Sequence, residues 1–102
     1  MKFLFFKKKN ATQYALDGEF LRKKRKYKKS LYNLNRAINL DKTNDMFYYS
    51  RSKTKFCLKD IKGAIIDIEQ AINIQPSVRI YSLLKEKYLR VIEEINNRNL
   101  SI

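Results

Sequence analysis

Ile61, Ile65, Ile68 and Ile72 recur at spacings of four, three and four, which places them on one face of a helix. Asp60 stands just ahead of that face, where a carboxylate caps free backbone N–H groups. Pro76 follows the last apolar residue, Ile74, where a helix has to stop. Upstream, Tyr27, Leu31, Leu34 and Ile38 repeat the spacing. A third stripe, Leu84, Tyr88, Val91 and Ile95, predicts a single helix over residues 79–98, with Lys85, Glu86, Arg90, Glu93 and Glu94 mostly on its polar side. Two glycines and one proline are too few for a multi-strand fold full of tight turns. The pattern therefore predicts an all-α chain.

The first two faces belong to a longer repetition. Residues 11–44 and 45–78 align without a gap at a spacing of 34. The best-matched stretch sets Arg36-Ala37-Ile38-Asn39-Leu40 against Gln70-Ala71-Ile72-Asn73-Ile74. Small residues coincide at Gly18 and Ser52, at Ser30 and Ala64, and at Ala37 and Ala71, where two helix axes cross closely and a larger side chain would hold them apart. Tyr14 pairs with Tyr48, Tyr27 with Ile61, Leu31 with Ile65 and Leu34 with Ile68.

On these residues the chain resembles the tetratricopeptide repeat proteins, which repeat every 34 residues with alternating large and small positions and a closing proline. The second repeat reads Tyr48, Ser52, Phe56, Ile61, Ala64, Ile68, Ala71 and Pro76; the first reads Tyr14, Gly18, Leu21, Tyr27, Ser30, Leu34 and Ala37, with Lys42 where the family has proline. Arg25 and Lys26 stand where the family places glycine and an acidic or asparagine residue in the turn between helices. The resemblance covers residues 11–78. It implies antiparallel helix pairs stacked in a short right-handed superhelical solenoid. Residues 1–10 precede it as a basic and aromatic segment, and residues 79–102 follow as a capping helix and tail that shields the last inner surface from water.

Charge then divides the chain. Of a net charge of +13, residues 1–29 hold +9, from eleven basic and two acidic residues. A general bias toward Lys, Asn and Ile competes with selection for binding as the source of overall basicity, but it does not explain the run Arg22-Lys23-Lys24-Arg25-Lys26-Tyr27-Lys28-Lys29, in which seven of eight residues are cationic. The single cysteine, Cys57, excludes an internal disulfide and favours a reducing compartment; it is expected as a small buried apolar group. The apolar run Phe3 to Phe6 is too short for a secretory signal, and no stretch reaches the length of a membrane span, so a cytoplasmic protein is expected.

Catalytic chemistry finds few carriers. Without histidine there is no usual general base and no common metal ligand, and Cys57 lacks a partner for activation or zinc binding. Glu93 and Glu94 point roughly 100° apart on a helix, and Asp67 and Glu69 likewise fail to converge. The expectation is a protein without enzyme activity, metal or cofactor.

In the resembled family the first helix of each repeat lines a concave groove that grips a peptide or helix of a partner. Carried over, that groove comprises Thr12, Ala15, Leu16, Glu19, Arg22 and Lys23 in the first repeat and Met46, Tyr49, Ser50, Lys53, Phe56 and Cys57 in the second, with Ile80, Leu83, Leu84 and Lys87 from the closing helix. Ala15, Glu19, Arg22, Lys23, Tyr49, Lys53, Phe56 and Lys87 are the leading candidates, and the cations among them favour an acidic ligand. The family's clamp on a chaperone's C-terminal carboxylates needs Lys and Asn one turn apart, which neither Thr12 with Leu16 nor Ala15 with Glu19 supplies. The alternative reading is a nucleic acid or other polyanion held by Arg22, Lys23, Lys24, Arg25, Lys26, Lys28 and Lys29. Because stacked arrays normally need about three repeats, Phe3, Leu4, Phe5 and Phe6 are expected either to cover the open amino-terminal face or to pair with another chain as a homo-oligomer.

Overall fold

A computed structural model of the chain describes residues 8–100. They form five helices, α1 (Ala11–Lys23), α2 (Tyr27–Leu40), α3 (Asp45–Cys57), α4 (Ile61–Ile74) and α5 (Arg79–Leu100), which pack mainly in adjacent pairs with no strand among the described residues. Phe3, Leu4, Phe5 and Phe6, on which the expected cover or self-pairing rests, lie outside the described residues.

The 34-residue spacing is built into the backbone. Asn10 and Asn44, one repeat apart, are the N-caps of α1 and α3, accepting from the N–H groups of Gln13 (2.8 Å) and Met46 (3.0 Å). The Gln13 side chain returns a bond to the N–H of Asn10 at 2.8 Å and completes a capping box. The turn after α1 is closed by bonds from Lys24 N–H to Phe20, Arg25 N–H to Arg22 and Lys26 N–H to Leu21, and the turn after α3 repeats them from Leu58 to Thr54, Lys59 to Phe56 and Asp60 to Lys55. Arg25 (φ 62°) and Lys59 (φ 66°) both adopt the left-handed conformation that such a C-terminus requires. Glycine would take it at lower cost, so each residue carries strain.

The two outer helices start differently. Asp60 caps α4 through Gly63 N–H at 3.0 Å, as the pattern predicts, whereas Lys26 gives α2 no side-chain cap. At the far ends α4 stops at Ile74 before Pro76. α2 stops at Leu40, where Asp41 accepts from the Thr43 N–H (2.9 Å) and hydroxyl (2.6 Å) in place of a proline.

The core runs along the stack through Leu34, Ala37 and Ile38 of α2, Phe47 and Tyr48 of α3, Ile61, Ala64, Ile68 and Ala71 of α4, and Tyr81 and Tyr88 of α5. The small residues do what their spacing implies. A Cβ on Gly18 would lie 2.6 Å from Leu34 Cγ, so α1 and α2 meet at a distance only glycine permits. Polar groups inside the stack are satisfied. Ser30 donates to the Gly18 carbonyl at 2.7 Å and accepts from Thr54 at 2.8 Å, joining α1, α2 and α3. Ser52 donates to the Tyr49 carbonyl at 2.7 Å and accepts from the Tyr88 hydroxyl at 3.2 Å, joining α3 to α5. Tyr81 donates to the Asp45 carboxylate on the same seam. Asp67, buried in α4, receives Arg51 (2.8 Å) and Lys55 (3.0 Å) from α3.

Two expectations need correction. Cys57 is exposed, because it ends α3 at the open side of the turn. The buried stripe of α5 begins one turn earlier than its apolar spacing suggests, at Tyr81, and packs Val91 and Ile92 inward while Ile95 is exposed. A tyrosine with a carboxylate to bond is a good core residue, and the spacing of apolar residues alone does not reveal that carboxylate. No helix among the described residues is long and apolar enough to cross a membrane.

Candidate functional site

The inner helices α1, α3 and α5 alternate in sequence with the outer helices α2 and α4, and α3 touches both α1 and α5 directly. Three depressions lie along the inner helices. The first, of about 160 Å³, is lined by Thr12, Ala15, Leu16 and Glu19 of α1, by Met46, Phe47 and Ser50 of α3 and by the cap Asn44. The second, of about 190 Å³, lies between Arg22, Lys53, Phe56, Cys57, Leu84, Lys87 and Tyr88. The third, of about 430 Å³, shares Leu84 and Lys87 with the second and adds Ile80, Leu83, Glu86 and Arg90. No residue of α2 or α4 lines any of them.

Large apolar side chains stand exposed along this trough: Leu16 (64%), Met46 (60%), Ile80 (50%) and Leu83 (45%). Contiguous exposed apolar surface rimmed by polar groups marks a contact site far better than single scattered residues do.

Charge organises the middle of the trough. Glu19 sits between the first two depressions, held by Arg22 at 2.9 Å and approached by Lys53 at 3.5 Å. Burial works to raise the Glu19 carboxyl, but the Arg22 bond and the Lys53 charge outweigh it and hold the group below its ordinary value. The carboxylate stays ionised and neutralises one of the two cations. Lys53 also lies 4.2 Å over the Tyr49 ring, and Lys87 lies 5.1 Å over the Phe56 ring. Tyr49 leans on Tyr81 (5.1 Å between centroids) and Phe56 stacks on Tyr88 (4.9 Å). Burial pushes the Tyr88 hydroxyl up to about 12. The second depression thus has an aromatic floor and a cationic rim.

Of the leading groove candidates, Ala15, Glu19, Arg22, Lys53, Phe56 and Lys87 line these depressions, although Ala15 is itself buried and forms floor. Tyr49 contributes through its packing against Tyr81 and under Lys53. Lys23 is exposed and lines none of the three.

The basic run does not form a single row. Arg22 turns into the trough to meet Glu19, while Lys24 lies over the Phe20 ring at 5.5 Å. Arg25, Lys26, Lys28 and Lys29 surround a depression of about 440 Å³ at the turn, with Tyr27 and Leu58 beneath them. Leu58 belongs to the second turn, and Lys59 and Lys62 follow it on a further depression shared with Ile92, Ile95 and Asn96 of α5. The sequence run points to the first turn only, because spacing along the chain does not report that two turns a repeat apart lie side by side.

Among the described residues no group of three or more His, Cys, Asp or Glu side chains is placed to hold a metal ion. No protein-family model matches the chain, and no curated protein matches it in sequence.

Proposed function

We propose that this chain is a tetratricopeptide-type adaptor without catalytic activity, and that its trough holds an extended segment of a partner protein. The observation that carries this reading is the succession of three depressions lined by the inner helices and the α3 cap, the second and third sharing Leu84 and Lys87. A segment lying along them meets an apolar stretch at Leu16 and Met46 and then a cationic, aromatic one at Lys53, Phe56 and Lys87. The best-fitting ligand carries a bulky apolar side chain for the first and a carboxylate for the second. Apolar anchoring supplies most of the affinity, and the charges set orientation and exclude basic segments.

Selection from a displayed library of random peptides tests this. Selected sequences should pair an apolar residue with an acidic one. Tyr49→Ala and Lys53→Glu should each weaken the selected peptides at least about tenfold, about 1.4 kcal/mol. Selected peptides without acidic residues, or binding indifferent to both substitutions, would remove the trough from consideration.

A further inference from the structure

We infer that the edge formed by the two helix-helix turns is a second binding surface, and that it takes the phosphate backbone of a nucleic acid. The sequence run supplies Lys23, Lys24, Arg25, Lys26, Lys28 and Lys29; the fold adds Lys59 and Lys62 by bringing the second turn against the first at Leu58. None of these eight cations has an ion pair among the described residues, although the other lysines and arginines of α1 and α3 are all paired: Arg22 and Lys53 with Glu19, and Arg51 and Lys55 with Asp67. The local carboxylate, Asp60, is committed to the Gly63 N–H. Glu93 and Glu94 lie on α5, so the strip is cationic toward the first repeat.

Folding does not call for this arrangement. Like charges gathered around one depression repel, and Lys28 and Lys29 occupy the first turn of α2, where positive charge opposes the helix macrodipole. The placement costs stability, and a polyanion returns it by replacing repulsion with attraction. Nucleic acid fits better than an acidic protein surface. Protein interfaces need apolar anchors in pockets, and at the first turn only half-buried Tyr27 and Leu58 lie between Arg25, Lys26, Lys28 and Lys29. Long, hydrated lysine side chains meet phosphates singly and release counterions as they do so.

Fluorescence anisotropy on the full chain with a labelled oligo(U) about 20 nucleotides long, longer than a single site, tests the inference. Affinity should fall about 100-fold between about 50 and 200 mM salt if about five phosphates are neutralised. The double variant Lys28→Glu/Lys29→Glu should lose at least tenfold in affinity while its thermal midpoint rises, which separates lost binding from lost folding. Lys59→Glu/Lys62→Glu should lose nearly as much. Lys42→Glu/Arg79→Glu changes net charge equally away from the turns and should lose no more than about threefold. Equal losses in all three variants, retention of binding in the Lys59/Lys62 variant, or tighter binding of poly-glutamate or of anionic phospholipid vesicles than of oligo(U) would each overturn the assignment. Tyr49→Ala should leave oligo(U) binding unchanged, so this surface and the trough stand or fall separately.

Discussion

Leu34 and Ile68 hold the same place in successive repeats and both are wholly buried, yet the helices around them are covered to different extents. α1 buries only Ala15 and Gly18, while α3, its counterpart, buries Phe47, Tyr48, Ser50, Ser52 and Thr54. The cause is position in the stack. α3 packs against α1, α2 and α4 and touches α5 through Tyr49, Ser52 and Phe56, whereas α1 packs on α2 and α3. The first repeat leaves Leu16, Phe20 and Tyr32 exposed. In a linear array, local pattern decides which residues face inward, and the neighbours decide how much that is worth.

Paired substitutions sharpen this contrast. Ile68→Ala should cost about 4 kcal/mol and Leu34→Ala about 3, since a site near an open side collapses more easily around the lost methyl groups. Urea denaturation of both variants measures the difference, and equal losses would break the comparison. Next in size is Asp67→Asn, expected to cost about 2–3 kcal/mol because it strips Arg51 and Lys55 of a buried partner. The equivalent residue one repeat earlier is Asn33, whose side chain merely bonds the Lys29 carbonyl at 2.8 Å, and Asn33→Ala should cost less than about 0.5 kcal/mol.

The turns should respond alike, because their strain is the same. Arg25→Gly and Lys59→Gly should each raise stability by about 0.5 kcal/mol, the left-handed penalty less the extra chain entropy of glycine. A gain in one turn alone would show that the two are not equivalent.

The smallest effect at neutral pH concerns α5. Burial pushes Tyr88 up to about 12 from an ordinary 10.0, and burial with the Asp45 bond also raises Tyr81. A phenol whose folded value is raised contributes stability that is complete below about pH 10 and lost as pH climbs toward 12. Circular dichroism across that window should show Tyr88→Phe losing less stability than the parent chain.

Much of the fold was legible because its signals are local. Gly18, Ser30, Ala37 and their counterparts mark helix crossings, the isoleucines of α4 mark a face, and Asp60 and Pro76 mark its ends. What escaped depends on contacts between elements. Asp67 reads as one more surface carboxylate until α3 delivers Arg51 and Lys55 to it. Tyr81 lies off the apolar stripe read for α5 until Asp45 arrives, and Arg22 belongs to both the groove set and the basic run until Glu19 draws it into the trough. For the trough, the family resemblance named most of the residues that line it, though not Asn44, Phe47, Glu86, Tyr88 or Arg90, and it gave no sign that Glu19 would be held there by Arg22 and Lys53.

The Ser30 hydroxyl, held between the Gly18 carbonyl and Thr54, bears on how the stack comes apart. Peeling the first pair of helices from the rest breaks the Ser30–Thr54 bond and opens both hydroxyls to water, at a net cost of about 1 kcal/mol. End fraying is thereby discouraged in so short an array, and the five helices are expected to melt in one cooperative transition.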